Sequence, residues 1–297
     1  MREMGLVRPP VAVLAGRGQL PLAGIEALRR QGERVVVVAG VPGCEPALAD
    51  QADAVTDIPF PKWQSVVEWL GAQGVRQAYF LGKVSKEWLQ RPGWDGRARA
   101  VLARLSYYND DAVLRAFVDD LAGSGIIVGS QAALLRHLLA PPGQWSGSPL
   151  EPGQRRDVAY GFRLAKALGG MDVGQLAVVK GGVTLALEAI EGTDACLQRA
   201  AKLGGRGAVA VKVAKPQQDE RFDLPTVGPQ TIELLIELGY AVLAVEAGRT
   251  LVLDRERLVA RAQAAGLKLV GWVDSQPSTM PTTARSTRVR PGEGTGS

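Results

Sequence analysis

The chain has 297 residues, of which 46% are hydrophobic and 22% charged, as in a folded globular protein long enough for two domains. It has no apolar run of the roughly eighteen residues that a membrane helix needs, and no signal-peptide core at its start, so we expect a cytoplasmic protein. The net charge of +5 comes largely from the terminal segments, so no nucleic-acid partner is expected. One histidine and two distant cysteines exclude a zinc site of the Cys/His type.

The first half of the chain alternates strand and helix patterns, which favours a parallel sheet with helices on its faces. Strands are predicted at 11–15, 35–39, 77–81 and 126–128, and helices at 22–31, 63–72 and 109–121. This pattern predicts a Rossmann-like nucleotide/phosphate-binding domain over residues 10–139.

Two loops of this half follow strand ends, where open α/β sheets bind ligands. Gly16, Arg17 and Gly18 follow the first strand, and their backbone N–H groups can approach an anion. Gly82 and Lys83 follow a later strand without the earlier glycine of a P-loop. For the first loop a ligand-free tight turn stays open as the alternative, and for the second a solvated lysine.

Residues 140–153 contain four prolines and three glycines, which predicts a linker between domains. Residues 154–272 alternate further helix and strand patterns, including two apolar runs joined by Gly181-Gly182 that predict a β-hairpin. We therefore predict a C-terminal mixed α/β catalytic domain over 154–272. Residues 273–297 are rich in Ser, Thr, Pro and Gly and predict a disordered tail.

Charged residues gather after successive predicted strands of the second half. They are Glu188, Glu191 and Asp194, then Lys212 and Lys215, then Asp219, Arg221 and Asp223, and finally Glu246. Lysine and arginine bind phosphate, whereas carboxylates hold Mg²⁺ or position a water molecule. This combination favours phosphoryl transfer with Mg²⁺, and an ion-paired surface loop is the alternative.

Five motifs occur in one order along the chain. They are Gly16-x-Gly18-x-Leu20-Pro21, Gly82-Lys83-Val84, Asp172-x-Gly174-Gln175, Glu188-Ala-x-Glu191-Gly192-Thr193-Asp194, and Lys215-Pro216-x-Gln218-Asp219-x-Arg221-x-Asp223-Leu224-Pro225. Together they resemble the LpxI-type UDP-2,3-diacylglucosamine pyrophosphatases of lipid A synthesis. The resemblance extends over roughly residues 10–272, and its last two motifs are the most specific as a pair.

The resemblance implies two α/β domains with the active site in the cleft between them. It implies Mg²⁺-dependent (or Mn²⁺-dependent) hydrolysis of a lipid-linked UDP-sugar to UMP and 2,3-diacylglucosamine 1-phosphate, which is lipid X. The essential aspartate of the family maps to Asp223, with Asp219 as second choice and Glu191 as a further catalytic candidate. The metal ligands that the resemblance implies are Glu188, Asp194, Asp219 and Asp223.

The implied substrate-binding residues come from both halves of the chain. They are Gly16, Arg17, Gly18, Gly82, Lys83, Gln175, Thr193, Lys212, Lys215 and Arg221. Arg17 stands where small or amide residues are usual in the family.

A diacylated substrate also needs an apolar wall, for which Trp63, Trp88, Trp94 and Trp145 are available, although core packing accounts for most of them. Two properties of the protein stay open: whether it contacts a membrane surface, and whether it forms a homodimer. Two other functions stay open as well: hydrolysis of another nucleotide-diphosphate sugar or lipid, and non-catalytic binding of a sugar nucleotide or lipid.

Overall fold

The computed structural model describes residues 8–44, 46–84, 93–106 and 110–274. Trp88 and the predicted tail beyond Asp274 therefore lie outside the described residues. Two sheets organise the rest: a five-stranded sheet in the N-terminal domain and a six-stranded sheet in the C-terminal domain. The expected α/β class, with a parallel sheet first and a mixed sheet second, is confirmed.

The N-terminal sheet is parallel throughout, with strand order β3-β2-β1-β4-β5. Its strands are β1 (Val11–Ala15), β2 (Val35–Val38), β3 (Ala54–Thr56), β4 (Gln77–Leu81) and β5 (Ile127–Val128). Its helices are α1 (Leu20–Arg30), α2 (Leu48–Gln51), α3 (Trp63–Ala72), α4 (Gly96–Leu102), α5 (Asp110–Gly123) and α6 (Gln131–Leu134), and Arg136–Leu138 form a 3₁₀ turn. Strands β1 and β2 are buried at every position, as expected of parallel strands with helices on both faces.

The C-terminal sheet has the order β6-β13-β11-β9-β7-β8, with a parallel centre and antiparallel edges. Its strands are β6 (Gly143–Gln144), β7 (Leu176–Lys180), β8 (Val183–Leu187), β9 (Val209–Lys212), β11 (Val242–Glu246) and β13 (Lys268–Trp272). A separate parallel pair joins β10 (Thr226–Val227) to β12 (Leu251–Val252). The helices are α7 (Pro152–Gly170), α8 (Thr193–Gly204), α9 (Pro229–Glu237) and α10 (Arg255–Ala265).

The predicted hairpin forms between β7 and β8. Its turn residues, Gly181 and Gly182, have φ values of +58° and +80°, which glycine adopts without steric cost. Part of the predicted linker, Gly143–Gln144, pairs with β13 and so forms an edge of the C-terminal sheet.

The segment after β9 crosses from the C-terminal sheet to the N-terminal domain. Phe222 is 1% exposed and belongs to the same buried cluster as Trp63 and Phe117. Leu224 is 6% exposed and lies in a second buried cluster, on the other face of that sheet, with Val13 and Leu81. The two domains therefore share apolar cores along this segment.

Among the helices in the described ranges, none has both the length and the apolar character that crossing a membrane would require.

Candidate active site

The two predicted glycine loops of the N-terminal domain lie against each other. Arg17 and Lys83 exchange backbone hydrogen bonds, each with an N–H to carbonyl distance of 2.9 Å. Gly16 lies so close to this contact that a Cβ there would be 2.7 Å from the Lys83 carbonyl oxygen. Glycine at position 16 therefore lets the ends of β1 and β4 form one paired loop, which presents the Lys83 side chain at an exposed position.

Lys212 is the buried cation at the centre of the site. It ends β9, is 8% exposed, and its Nζ donates to Thr193 Oγ1 at 3.3 Å and to the Thr226 carbonyl oxygen at 3.2 Å. Burial lowers the pKa of Lys212, and the nearby Lys83 lowers it further.

Three nearby carboxylates raise the pKa of the Lys212 ammonium. Glu188, Asp223 and Asp194, in decreasing order of effect, favour the charged form and so work against the burial that lowers the pKa of Lys212. The paired loop of the N-terminal domain and the charged strand ends of the C-terminal domain thus meet around Lys212.

Glu188 is held in place at the end of β8. It is 7% exposed, and its two oxygens accept hydrogen bonds from Thr193 Oγ1 at 2.8 Å and from the Gln175 N–H at 3.2 Å. A Cβ at Gly174 would lie 2.3 Å from the Glu188 carbonyl oxygen, so glycine is needed for this approach. Within the described chain, the buried Gln175 Oε1 has no hydrogen-bond partner.

Lys215 joins the domains through two carboxylates that are not among the predicted site residues. Its Nζ lies 2.6 Å from Asp172 Oδ1 and 3.1 Å from Asp111 Oδ1, and Asp111 belongs to α5 of the N-terminal domain. Burial opposes the charged form of Lys215, but the hydrogen bonds that it donates to Asp172 and Asp111, together with the charge of Asp111, outweigh burial and raise the pKa of Lys215. Asp172 carries a signal in the sequence, since it opens the Asp172-x-Gly174-Gln175 motif, whereas nothing local marks Asp111 as a partner of Lys215.

Asp223 is exposed although both of its neighbours in sequence are buried. Its backbone is left-handed, with φ of +55°, a conformation that aspartate and asparagine tolerate better than most residues. Its charge favours the protonated forms of both Lys212 and Lys215. Asp223 is therefore the carboxylate of its loop whose charge stabilises the protonated forms of both Lys212 and Lys215.

Asp219 and Arg221 neutralise each other in a bidentate pair. Arg221 Nε and Nη2 lie 2.9 Å and 2.7 Å from the two Asp219 oxygens, and Arg115 of α5 lies 3.7 Å away. The hydrogen bond from Arg221 is the main cause that lowers the pKa of Asp219. The ion pair between Arg115 and Asp219 links the loop to the N-terminal domain.

Glu191 pairs with Arg199 of α8, with 2.5 Å between Oε1 and Nη2, at an exposed position. The hydrogen bond from Arg199 is the main cause that lowers the pKa of Glu191.

Glu246 does not belong to the group round Lys212. It pairs with Lys166 at 3.0 Å and accepts the Ala214 N–H at 2.8 Å, which fixes the end of β9. The structure thus gathers Asp223, Asp194 and Glu188 round Lys212, and pairs Glu191 and Asp219 with arginines.

The donor set suits Mg²⁺ only if a ligand supplies part of the coordination. In the described ranges, no three or more His, Cys, Asp or Glu side chains form a group that could hold a metal ion. Mg²⁺ in enzymes is commonly held by one or two carboxylates together with substrate phosphate oxygens. Asp223 and Asp194 are both exposed and both act on Lys212, so they fit such a partial set.

These features define a two-domain α/β protein whose charged site is built by both domains. The LpxI N-terminal domain family matches residues 10–138, and the LpxI C-terminal domain family matches residues 141–270. The chain therefore belongs to the LpxI family.

A curated relative from Caulobacter vibrioides is named UDP-2,3-diacylglucosamine pyrophosphatase LpxI. It is 33% identical over 287 residues, which cover 93% of this chain and 99% of the relative. Among solved structures, a beta-gamma-ATP complex of biotin carboxylase from Campylobacter jejuni aligns over 66% of this chain and 42% of its own, at 11% identity and a TM-score of 0.26. The biotin carboxylase subunit of pyruvate carboxylase aligns with a TM-score of 0.25 at 14% identity, covering 67% of this chain and 43% of its own.

Proposed function

We propose that this protein hydrolyses the pyrophosphate bond of UDP-2,3-diacylglucosamine in lipid A synthesis. Water and the UDP-sugar give UMP and 2,3-diacylglucosamine 1-phosphate. The observation that carries the proposal is the near full-length similarity to a relative with that named activity. The cluster of Asp223, Lys212 and Lys83 supplies chemistry that fits it.

The positive groups of the site suit a diphosphate. Lys83 and Lys212 come from different domains, and the charge of Lys83 disfavours the protonated form of Lys212, so an anion between them would relieve their repulsion. Lys212 is buried, and a charge in a low-dielectric site stabilises a phosphate oxygen more strongly than a charge in water.

Asp223 is the carboxylate that best fits the activation of water. Asp219 and Glu191 each form a close pair with an arginine, which lowers their pKa and makes them weaker bases. Asp223 lies exposed at the site, and its charge favours the protonated forms of Lys212 and Lys215. In the proposed reaction it takes the proton of the attacking water, while Lys212 stabilises the charge that develops on the phosphate oxygens.

We further propose that the activity depends on Mg²⁺, held by Asp223 and Asp194 together with oxygens of the diphosphate. The cation would neutralise charge on the phosphate groups.

An apolar pocket supports a substrate with acyl chains. It begins beside the paired loop, since Val84 directly follows Lys83 in sequence. It is lined by Phe60, Trp63, Phe80, Val84, Trp94, Val113, Leu114 and Phe117. Within the described residues, the buried Trp94 indole N–H has no hydrogen-bond partner. We propose that one acyl chain of the substrate occupies this pocket.

The test is UMP release from UDP-2,3-diacylglucosamine by the wild-type chain and by Asp223→Asn. Asparagine keeps the left-handed backbone conformation and removes the charge, so the variant should fold. We expect kcat to fall at least about 1,000-fold, a loss comparable to removal of a catalytic base together with a charge that stabilises the site. Addition of EDTA to the wild type should abolish turnover, and Mg²⁺ should restore it.

Asp254→Asn is the matched control, because Asp254 is also exposed and left-handed, with φ of +51°, but lies at the start of α10. It should keep wild-type turnover. Wild-type turnover in Asp223→Asn would remove Asp223 from the mechanism, and preference for unacylated UDP-sugars would contradict the lipid substrate.

A further inference from the structure

Gln131 is a buried polar residue of the N-terminal domain that lies beside the Asp223 loop. It is 2% exposed and begins the short helix α6, which follows β5. Its side chain and its backbone N–H all form hydrogen bonds with residues distant in sequence.

Three hydrogen bonds tie Gln131 to two parts of the site. Its backbone N–H donates to the Glu220 carbonyl oxygen at 2.7 Å, and its Oε1 accepts the Leu224 N–H at 3.2 Å. Its Nε2 donates to the Phe80 carbonyl oxygen at 2.5 Å, near the end of β4 and three residues before Lys83. Gln131 thus connects the strand that leads to Lys83 to both ends of the segment 220–224, through its side chain at Leu224 and through its backbone at Glu220.

The orientation of the Gln131 amide is fixed by these partners. The Leu224 N–H can only donate and the Phe80 carbonyl can only accept, so a reversed amide would place like groups together at both contacts. A carboxamide at this position satisfies both buried backbone groups at once. An apolar side chain of the same length would leave both without this partner.

Asp223 lies inside the segment that Gln131 holds. The side chains on either side of it, Phe222 and Leu224, are 1% and 6% exposed in cores of the N-terminal domain. Between these two buried neighbours, the backbone of Asp223 has φ of +55°. The position of the Asp223 carboxylate relative to Lys212 is therefore set by contacts with the other domain.

We infer that Gln131 is a positioning residue: it fixes the segment 220–224 so that Asp223 faces the diphosphate between Lys83 and Lys212. This inference rests on the proposed function for its consequence in catalysis. Gln131 itself is buried, so it acts through the backbone and not by contact with substrate.

The test substitutes Gln131→Met, which keeps the length of the side chain and removes both of its hydrogen bonds. We expect kcat to fall about 100-fold, the loss typical of a displacement near 1 Å at a reacting group, with KM within about threefold of wild type. Ser130→Ala is the matched control. It removes the hydrogen bond that caps α6, from the Ala133 N–H to Ser130 Oγ at 3.1 Å, without touching the segment, and should leave kcat within about threefold.

Amide hydrogen exchange of the peptide that spans 219–226, followed by mass spectrometry, measures how firmly Gln131 holds the segment 220–224 and does not depend on turnover. Exchange at the Leu224 amide should be at least about tenfold faster in Gln131→Met, while Ser130→Ala should match wild type. Unchanged exchange, or a kcat loss no larger than that of Ser130→Ala, would overturn the inference. A wild-type chain that releases no UMP would instead overturn the proposed function, and the exchange data would still decide whether Gln131 holds the segment.

Discussion

Asp219 and Asp223 lie four residues apart in one loop, yet their surroundings give them different chemistry. Asp219 receives two hydrogen bonds from the Arg221 guanidinium and faces Arg115 of the other domain. Asp223 is exposed and acts on Lys212 and Lys215. A carboxylate with a bidentate arginine partner stabilises the fold and is a poor base, whereas one beside two lysines in an open site can act on a ligand.

Replacement of Asp219 by asparagine should make stability less dependent on pH. The Arg221 pair lowers the folded-state pKa of Asp219 below its ordinary value of 3.8, so its stabilisation is present above that value and is lost as the pH falls through the folded-state pKa. Urea unfolding should give Asp219→Asn a stability about 1–2 kcal/mol below wild type at pH 7, and a smaller deficit at pH 3.

The control is Glu233→Gln, which breaks the exposed pair with Arg261, whose atoms lie 2.8 Å apart. Exposed pairs contribute little, so this change should cost under about 1 kcal/mol at pH 7. A deficit of Asp219→Asn that is the same at pH 3 and pH 7 would mean that the charge of Asp219 is not what stabilises the loop.

At the scale of elements, local patterns predict which strands and loops exist but not which of them meet. The buried β-branched runs predict β1 and β2 because both faces of those strands are covered. The loops at Gly16 and Gly82 are identifiable from glycine at strand ends, but their mutual hydrogen bonds depend on β1 and β4 being neighbours in the sheet. Short elements such as β3 lack a long enough pattern to be predicted.

Contacts across the domains are the part of the site that sequence patterns could not supply. Lys215 and Asp111 lie 104 residues apart, and Gln131 lies 93 residues from Leu224. An acidic residue in the first turn of a helix is usual for electrostatic reasons, so Asp111 carries no separate signal of its partner. Four of the five motifs follow strand ends, a position that the local sequence pattern can mark, whereas Asp172-x-Gly174-Gln175 follows helix α7.

The paired loop should not tolerate a side chain at Gly16. A Cβ there would lie 2.7 Å from backbone atoms of Gly82 and Lys83, so alanine must push the two loops apart and move Lys83 away from Lys212. We expect Gly16→Ala to lose about 1–3 kcal/mol of stability, the usual cost of overpacking. We also expect KM for the UDP-sugar to rise about tenfold, a loss near 1.4 kcal/mol of binding.

Gly71→Ala is the matched control, because it lies in α3 with no heavy atom within 4 Å of the added Cβ. Alanine there should raise stability by about 0.5–1 kcal/mol through helix propensity and leave KM unchanged. If Gly16→Ala keeps the wild-type KM, the close contact of the two loops is not needed for substrate binding.

The apolar pocket gives a second prediction at this scale. Leu114 of α5 lines the pocket and is half-buried, so Leu114→Trp should fill space that we assign to an acyl chain. We expect kcat/KM for a substrate with long acyl chains to fall about 10- to 100-fold, and for a short-chain analogue to fall less, as chain-length discrimination in apolar pockets predicts. Leu203→Trp, at a site 68% exposed on α8, is the control. Equal losses for both chain lengths would place the acyl chains elsewhere.

At the scale of the whole molecule, the segment after β9 makes the two domains mutually dependent. It begins on the C-terminal sheet, yet Phe222 completes a core that otherwise comes from N-terminal residues such as Trp63. The same segment carries Asp223, so the packing that joins the domains also places the proposed catalytic carboxylate. A change that weakens this packing should therefore affect stability and turnover together.

Phe222→Ala tests that coupling. Phe222 is 1% exposed, and loss of its ring leaves a cavity in the N-terminal core, which should cost about 3–5 kcal/mol in unfolding free energy by urea titration. Ile190→Ala, at a position 83% exposed, is the control and should change stability by at most about 0.5 kcal/mol. Under conditions where circular dichroism shows that the variant stays folded, we still expect kcat to fall. Asp223 follows Phe222 directly, so the packing of Phe222 also fixes the backbone of Asp223. A variant that loses the expected stability but keeps wild-type kcat would show that the N-terminal core does not set the position of Asp223.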